Sequence, residues 1–182
     1  MNQAINSPFL GAYWKARKES RMECATRLSN YLCAIGLIEP SLQKWFQKAS
    51  RRPDTAKTVD LSIAGIHTFV KANDRDLTGD PVVELGFNLS LWNGGNASFS
   101  ATVRAFSPYV ENSVVLSFHG DCPVDREKWR RLIERAVEDF DPDAAVATNH
   151  DYIAAHGDGT PDEAGGLLTY TRGKAVVEGP FP

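Results

Sequence analysis

The chain has 182 residues, 42% of them hydrophobic, and a formal net charge of −3. That length fits one domain over residues 1–182, and the apolar content excludes a disordered chain and supplies a core that needs neither metal nor disulfide. The apolar runs are short, as at Val114 to Leu116, which excludes a membrane-spanning helix of roughly 20 apolar residues; Met1 to Pro8 lacks the charged-then-apolar pattern of a secretory signal, so a cytoplasmic protein is expected.

Phe9 to Trp14 reads as an apolar strand opened by Pro8. A helix follows from about Glu19 to Ile35. There Cys24/Ala25, Leu28, Tyr31/Leu32 and Ile35 recur at steps of three and four and mark one buried face. Gly36 reads as its stop, and Pro40 as the start of a short helix carrying Leu42, Trp45 and Phe46. Residues 50–57 (SRRPDTAK) form a polar loop, and Asp60 is placed to cap a third helix from Leu61 to Ala72. Next, Val83, Leu85, Phe87, Leu89 and Leu91 alternate with Glu84, Gly86, Asn88, Ser90 and Trp92, the period of a half-buried strand. Asn93-Gly94-Gly95-Asn96 is a turn, because Gly and Asn tolerate positive φ. Phe99, Ala101, Val103 and Ala105 then alternate with Ser98, Ser100, Thr102 and Arg104, completing a hairpin. Ser113 to Phe118 extends the meander.

Asp125 caps a helix running to about Phe140, with Trp129, Leu132, Ile133, Ala136, Val137 and Phe140 as its apolar stripe and Pro142 as its end. Two short strands follow, Ala144 to Thr148 and Leu167 to Thr171, around a loop over His156 to Gly166 (HGDGTPDEAGG). Helices segregated from antiparallel strands predict an α+β fold, an antiparallel β-meander with helices packed on one face.

The chemistry-bearing residues do not assemble into a catalytic signature. Phosphate loop, nucleophile elbow, CxxC pair and HExxH helix are all absent from the sequence. Cys24, Cys33 and Cys122 are odd in number. Cys24 and Cys33 lie nine residues apart on one helix, on opposite faces and about 13 Å apart along its axis, so they cannot pair. His119-Gly120-Asp121-Cys122 sets three reactive types together, but the link from a strand into the Asp125 helix explains them. His150, Asp151, His156, Asp158, Asp162 and Glu163 lack the register of a zinc or calcium site. A small metal- or Cys-dependent hydrolase using either cluster is the alternative reading. No cofactor and no metal are expected. Lys44, Lys48, Arg51, Arg52 and Lys57 beside Trp45 and Phe46 could in principle stack bases. Those aromatics suit a core better and the chain is acidic overall, so neither nucleic acid nor membrane is an expected partner.

Charge is unevenly distributed. From Trp14 to Arg75 twelve Lys/Arg face six Asp/Glu; from Ala136 to Tyr170 there are eight acids and no Lys or Arg. The acids Glu138, Asp139, Asp141, Asp143, Asp151, Asp158, Asp162 and Glu163, with Trp92 and Asn93 at the hairpin tip, are the candidate contacts for a basic protein partner.

Two stretches carry a resemblance. Residues 11–20 (GAYWKARKES), with Tyr13, Trp14, Arg17 and Glu19 ahead of the Cys24/Leu28 helix, are similar to the opening of the immunity protein 52 family. Residues 85–95 (LGFNLSLWNGG), with Gly86 and Trp92, resemble its central strand and turn, and the Trp45-Phe46 segment and Asn112 to Leu116 follow the family's order. The resemblance is strongest over residues 9–118; after Leu167 to Thr171 it would lead to more strand than the chain offers. It implies a cytoplasmic immunity protein of a bacterial polymorphic-toxin system, with no catalytic residues, whose partner is a cognate toxin, several such toxins resembling restriction-endonuclease-fold nucleases.

Overall fold

The structure, a computed structural model, describes residues 7–47, 57–72, 78–80, 82–120, 122–156 and 168–179. Among these, nine strands form one sheet: β1 (Pro8–Trp14), β2 (Phe46–Gln47), β3 (Lys71–Ala72), β4 (Phe87–Trp92), β5 (Ala97–Val103), β6 (Asn112–Phe118), β7 (Ala144–Asn149), β8 (Leu168–Thr171) and β9 (Val177–Glu178). Their order in space is β2-β4-β5-β6-β1-β7-β8-β9, with β3 also on the outer edge of β4. Every described pairing is antiparallel. The strand nearest the N-terminus therefore sits mid-sheet: Phe9 is opposite Ser117 of β6 and Thr148 of β7. Four helices complete the fold, α1 (Arg21–Ile38), α2 (Ile63–Phe69), α3 (Arg126–Phe140) and α4 (His150–His156).

The α+β class expected from sequence is the one observed, with several boundaries moved. α1 starts at Ser20, whose hydroxyl accepts from Glu23 N–H while the Glu23 carboxylate accepts from Ser20 N–H. The helix does not stop at Gly36 but runs on to Ile38; Gly36 is buried inside it, where a Cβ would come within 3.1 Å of Gln43. Pro40 opens only a 3-10 turn, Pro40–Leu42, and Phe46 is in β2. Asp60 does not cap α2; its carboxylate accepts from Ser62 N–H and Oγ, and Ser62 caps the helix in its place. Val83–Leu85 is a 3-10 turn, so the alternating strand begins at Phe87. The predicted loops fall largely outside the described residues, as do Met1 to Asn6.

Directly opposed residues of antiparallel strands share a face. One face carries Leu10, Ala12 and Trp14 of β1, Leu89 and Leu91 of β4, Phe99, Ala101 and Val103 of β5, Val114, Leu116 and Phe118 of β6, and Ala145 and Ala147 of β7, all in the main core. α1 and α3 lie on this side, their Tyr31 and Phe140 rings meeting edge to face at 5.2 Å, and Trp14 stacks on Phe140 at 5.5 Å. α4 belongs to the other side, where the His150 ring stands 5.1 Å from Phe9, a residue pointing away from the main core.

One polar tie joins α1 to α3 at the core's edge. Glu39 is buried and accepts from Ser41 N–H at 3.1 Å and Lys128 Nζ at 2.9 Å. Burial pushes its carboxyl pKa up, but the Lys128 and Ser41 hydrogen bonds outweigh burial and hold it below the ordinary 4.5. The lowered value means that the contribution to folding is complete above pH 4.5 and is lost as pH falls through the folded-state pKa. Denaturant titrations should therefore show native protein more stable than Glu39→Gln at pH 7, with the gap narrowing below about pH 4.5. A gap that ignores pH would contradict this role.

Candidate functional site

The residues singled out by resemblance divide into two groups. Trp14, Arg17, Glu19 and Gly86 are structural. Trp14 is in the core. Arg17 donates from Nη1 to Phe140 O at 2.6 Å and from Nη2 to Asp141 O at 2.7 Å, capping the last carbonyls of α3 with a cation where the helix dipole favours one. Glu19 pairs with Arg27 at 2.9 Å, and its carbonyl accepts from Arg104 Nε at 2.6 Å. Gly86 (φ +74°) turns the chain into β4 against the β5 backbone, beside Arg104 in the left-handed region (φ +65°). The buried Asn112 side chain locks the same corner, accepting from Ala105 N–H and donating to Ala105 O and Lys15 O.

Tyr13 and Trp92 are different: both lie on the face turned away from α1 and α3. A Cβ on Gly11 would come within 2.2 Å of the Tyr13 hydroxyl, so the Tyr13 ring lies across Gly11, filling the space the glycine leaves. Trp92 donates from Nε1 to Gly95 O at 2.8 Å and stands 6.0 Å from Phe46. Asn93 holds the turn by accepting from Gly95 and Ala97 N–H, and donates to Ser41 O. Between these aromatics run Ser90 and Asn88 of β4, Ser98, Ser100 and Thr102 of β5, and Ser113, Val115 and Ser117 of β6. On β4, β5, β6 and β1 together, twelve described residues face this way and none has a charged side chain. The alternation in the sequence shows that these positions are polar. That the polar halves of β4, β5 and β6 merge into one uncharged field beside β1 emerges only with the strand order.

The described members of the acidic set do not form one surface. Asp139 is buried and bidentate with Arg135, both contacts 2.7 Å; burial pushes its carboxyl above the ordinary aspartate value against the pull of Arg135. Glu138 shares that arginine at 3.1 Å. Asp141, the left-handed C-cap of α3, pairs with Arg172 and Arg17, and Asp143 pairs with Arg172 and accepts from Lys15 N–H. Arg135 and Arg172 bracket the segment that reads as unopposed acid in the sequence, and folding brings Arg17 to it as well. Asp151 is exposed on α4, on the other side of the sheet from Glu138. Asp158, Asp162 and Glu163 lie outside the described residues.

The reactive clusters are likewise dispersed. His119 meets Ser98 Oγ at 3.2 Å, and burial pushes the Cys122 thiol pKa up, the wrong direction for a thiolate nucleophile; Asp121 is outside the described residues. Cys24 is buried, its thiol pushed up to about 12, while Cys33 is exposed. Among the described residues no three His, Cys, Asp or Glu side chains are placed to hold a metal ion, and no helix is long and apolar enough to cross a membrane. Trp45 is fully buried, so it offers no ring to a base; Lys44 instead sits 5.2 Å over Phe46.

A comparison with curated proteins finds no match. A family model described as Immunity protein 52 matches residues 6–182, which takes in the C-terminal third as well as residues 9–118. With nearly the whole length matched, the chain belongs to the Immunity protein 52 family.

Proposed function

We propose that this chain neutralises one cognate toxin by binding it, makes and breaks no covalent bond itself, and does so in the cytoplasm of the cell that produces both proteins. The observation that carries the reading is family membership over residues 6–182. The fold supports it: Trp14, Arg17, Glu19 and Gly86 are spent on holding the sheet and its helices together, and the sheet presents a broad face. The toxin is a nuclease of a polymorphic-toxin system, which needs a positive groove for phosphates. Of the described acidic candidates, Glu138, Asp141 and Asp151 keep their carboxylates exposed and serve to speed encounter with a basic partner, an effect on association rate more than on final affinity.

Co-expression with the toxin encoded by the adjacent gene tests this. Cells carrying both should survive where cells carrying the toxin alone do not, and the purified proteins should form a complex of about nanomolar affinity. Unprotected cells, together with purified proteins that do not associate, would sink the reading.

A further inference from the structure

We infer that the open face of β4, β5 and β6, bordered by Tyr13 of β1, is where the toxin docks, and that it receives a flat toxin surface without charge at its centre; the assignment rests on the immunity-protein reading above. The chain as a whole is 24% charged, yet none of the nine residues on this side of β4, β5 and β6 carries a charge, nor does Tyr13; Phe9 and Gly11, on the same side of β1, are buried. A solvated sheet face ordinarily bears Lys and Glu, which also keep it from sticking to other sheets. Their absence suits a surface that is desolvated on binding, where an unpaired charge would be costly.

The chemistry of the face restricts what can cover it. Phosphates need cations, and the centre offers none. A lipid surface needs apolar area or basic residues, and Val115 is the single aliphatic side chain among hydroxyls in the middle of the field. Serine and threonine hydroxyls flanked by fixed aromatic rings suit a protein: the hydroxyls adapt to backbone amides and carbonyls, while Tyr13 and Trp92 supply contact area. Both rings are already held, Tyr13 across Gly11 and Trp92 by its bond to Gly95 O, so little side-chain freedom is lost on docking.

Among the described residues, charge stands at the margins, and the register places Lys71 of β3 opposite Asn88 at the outer edge of β4. Lys44 stands over Phe46 beyond Trp92, and Asp151 projects from α4 beyond Phe9. A toxin surface complementary to this pattern places a carboxylate opposite Lys44 and a cation opposite Asp151, which fixes its orientation across the strands.

The decisive variant is Ser100→Arg, an exposed position at the centre of β5 whose side chain leaves the core untouched. Titrated against the toxin encoded by the adjacent gene, it should weaken the complex by about a hundredfold or more, since the arginine is buried without a partner. Glu134→Arg, exposed on α3 on the opposite side, should stay within about threefold of native. Hydrogen exchange on the unmodified complex should show protection of β4–β6 and no new protection on the outer turns of α3, which tests the face even if Ser100→Arg folds poorly. Native affinity in a folded Ser100→Arg, or protection confined to α3, overturns the docking face while the immunity reading stands. Sedimentation giving a native dimer that Ser100→Arg converts to monomer without loss of toxin affinity assigns the face to a second copy and overturns the proposal. If the native chain does not bind the toxin at all, both readings fall.

Discussion

Trp14→Ala is expected to remove about 3–5 kcal/mol of folding free energy, as truncation of a buried aromatic does. Trp14 is 1% exposed, stacks on Phe140 at 5.5 Å with an interplanar angle of 19°, and carries Arg17 over its ring at 5.7 Å. Its loss would open a cavity where β1, α1 and α3 meet and would unseat the guanidinium that caps α3. Domains of this kind have about 5–15 kcal/mol in hand, so the variant should sit near the unfolding threshold and protect cells poorly from the toxin although Trp14 itself touches no partner. Trp14→Phe should recover most of the loss, because it keeps the stacking and gives up a ring N–H that has no partner among the described residues. Chemical denaturation of the three proteins measures this; equal stability of Trp14→Ala and native protein would show that the ring is not packed as described.

Gly86→Ala should cost about 2–4 kcal/mol for a different reason, backbone strain instead of lost packing. Gly86 has φ +74° and ψ −148°, a region that residues with a Cβ essentially never occupy. A Cβ there would stand 2.3 Å from Val103 O and 2.6 Å from Ala105 N, both backbone atoms that cannot move without disrupting β5. Gly79 provides the control. It has φ +88°, and a Cβ there would meet nothing within 4 Å, so Gly79→Ala should cost only about 1 kcal/mol. Similar costs for the two variants would mean that the close approach of β4 and β5 at Gly86 is not what requires glycine.

Local patterns account for what was readable before the structure. The apolar stripe and caps of α3 come through intact, with Asp125 accepting from Lys128 N–H and the helix ending at Phe140. The Phe99/Ala101/Val103 alternation and the Asn93–Asn96 turn likewise announce the β4–β5 hairpin. Gly36 misleads because a glycine inside a helix can serve close packing, here against Gln43, as readily as it can end the helix. β2, β3 and β9, two residues each, have no period to read and exist through their partners. The pairing of the acidic candidates is illegible for a related reason: charge counted along the chain takes no account of Arg17, which arrives from the far end of the sequence. The docking face is the least legible feature. Ser90, Ser100, Val115 and Tyr13 come from four segments that become neighbours only through non-local pairing, and that pairing is not written in any one segment.

The central position of β1 has a consequence for timing. Its hydrogen-bonding neighbours are β6 and β7, and the latter ends at Asn149. A ribosome therefore releases the strand bearing Tyr13 long before it makes the two strands that hold it, and long-range strand pairing of this sort is slow to form. Until Asn149 has cleared the exit tunnel, the nascent antidote has no finished sheet to offer. A cell making this protein alongside its poison would need a standing reserve of completed chains, because fresh synthesis would lag behind the threat.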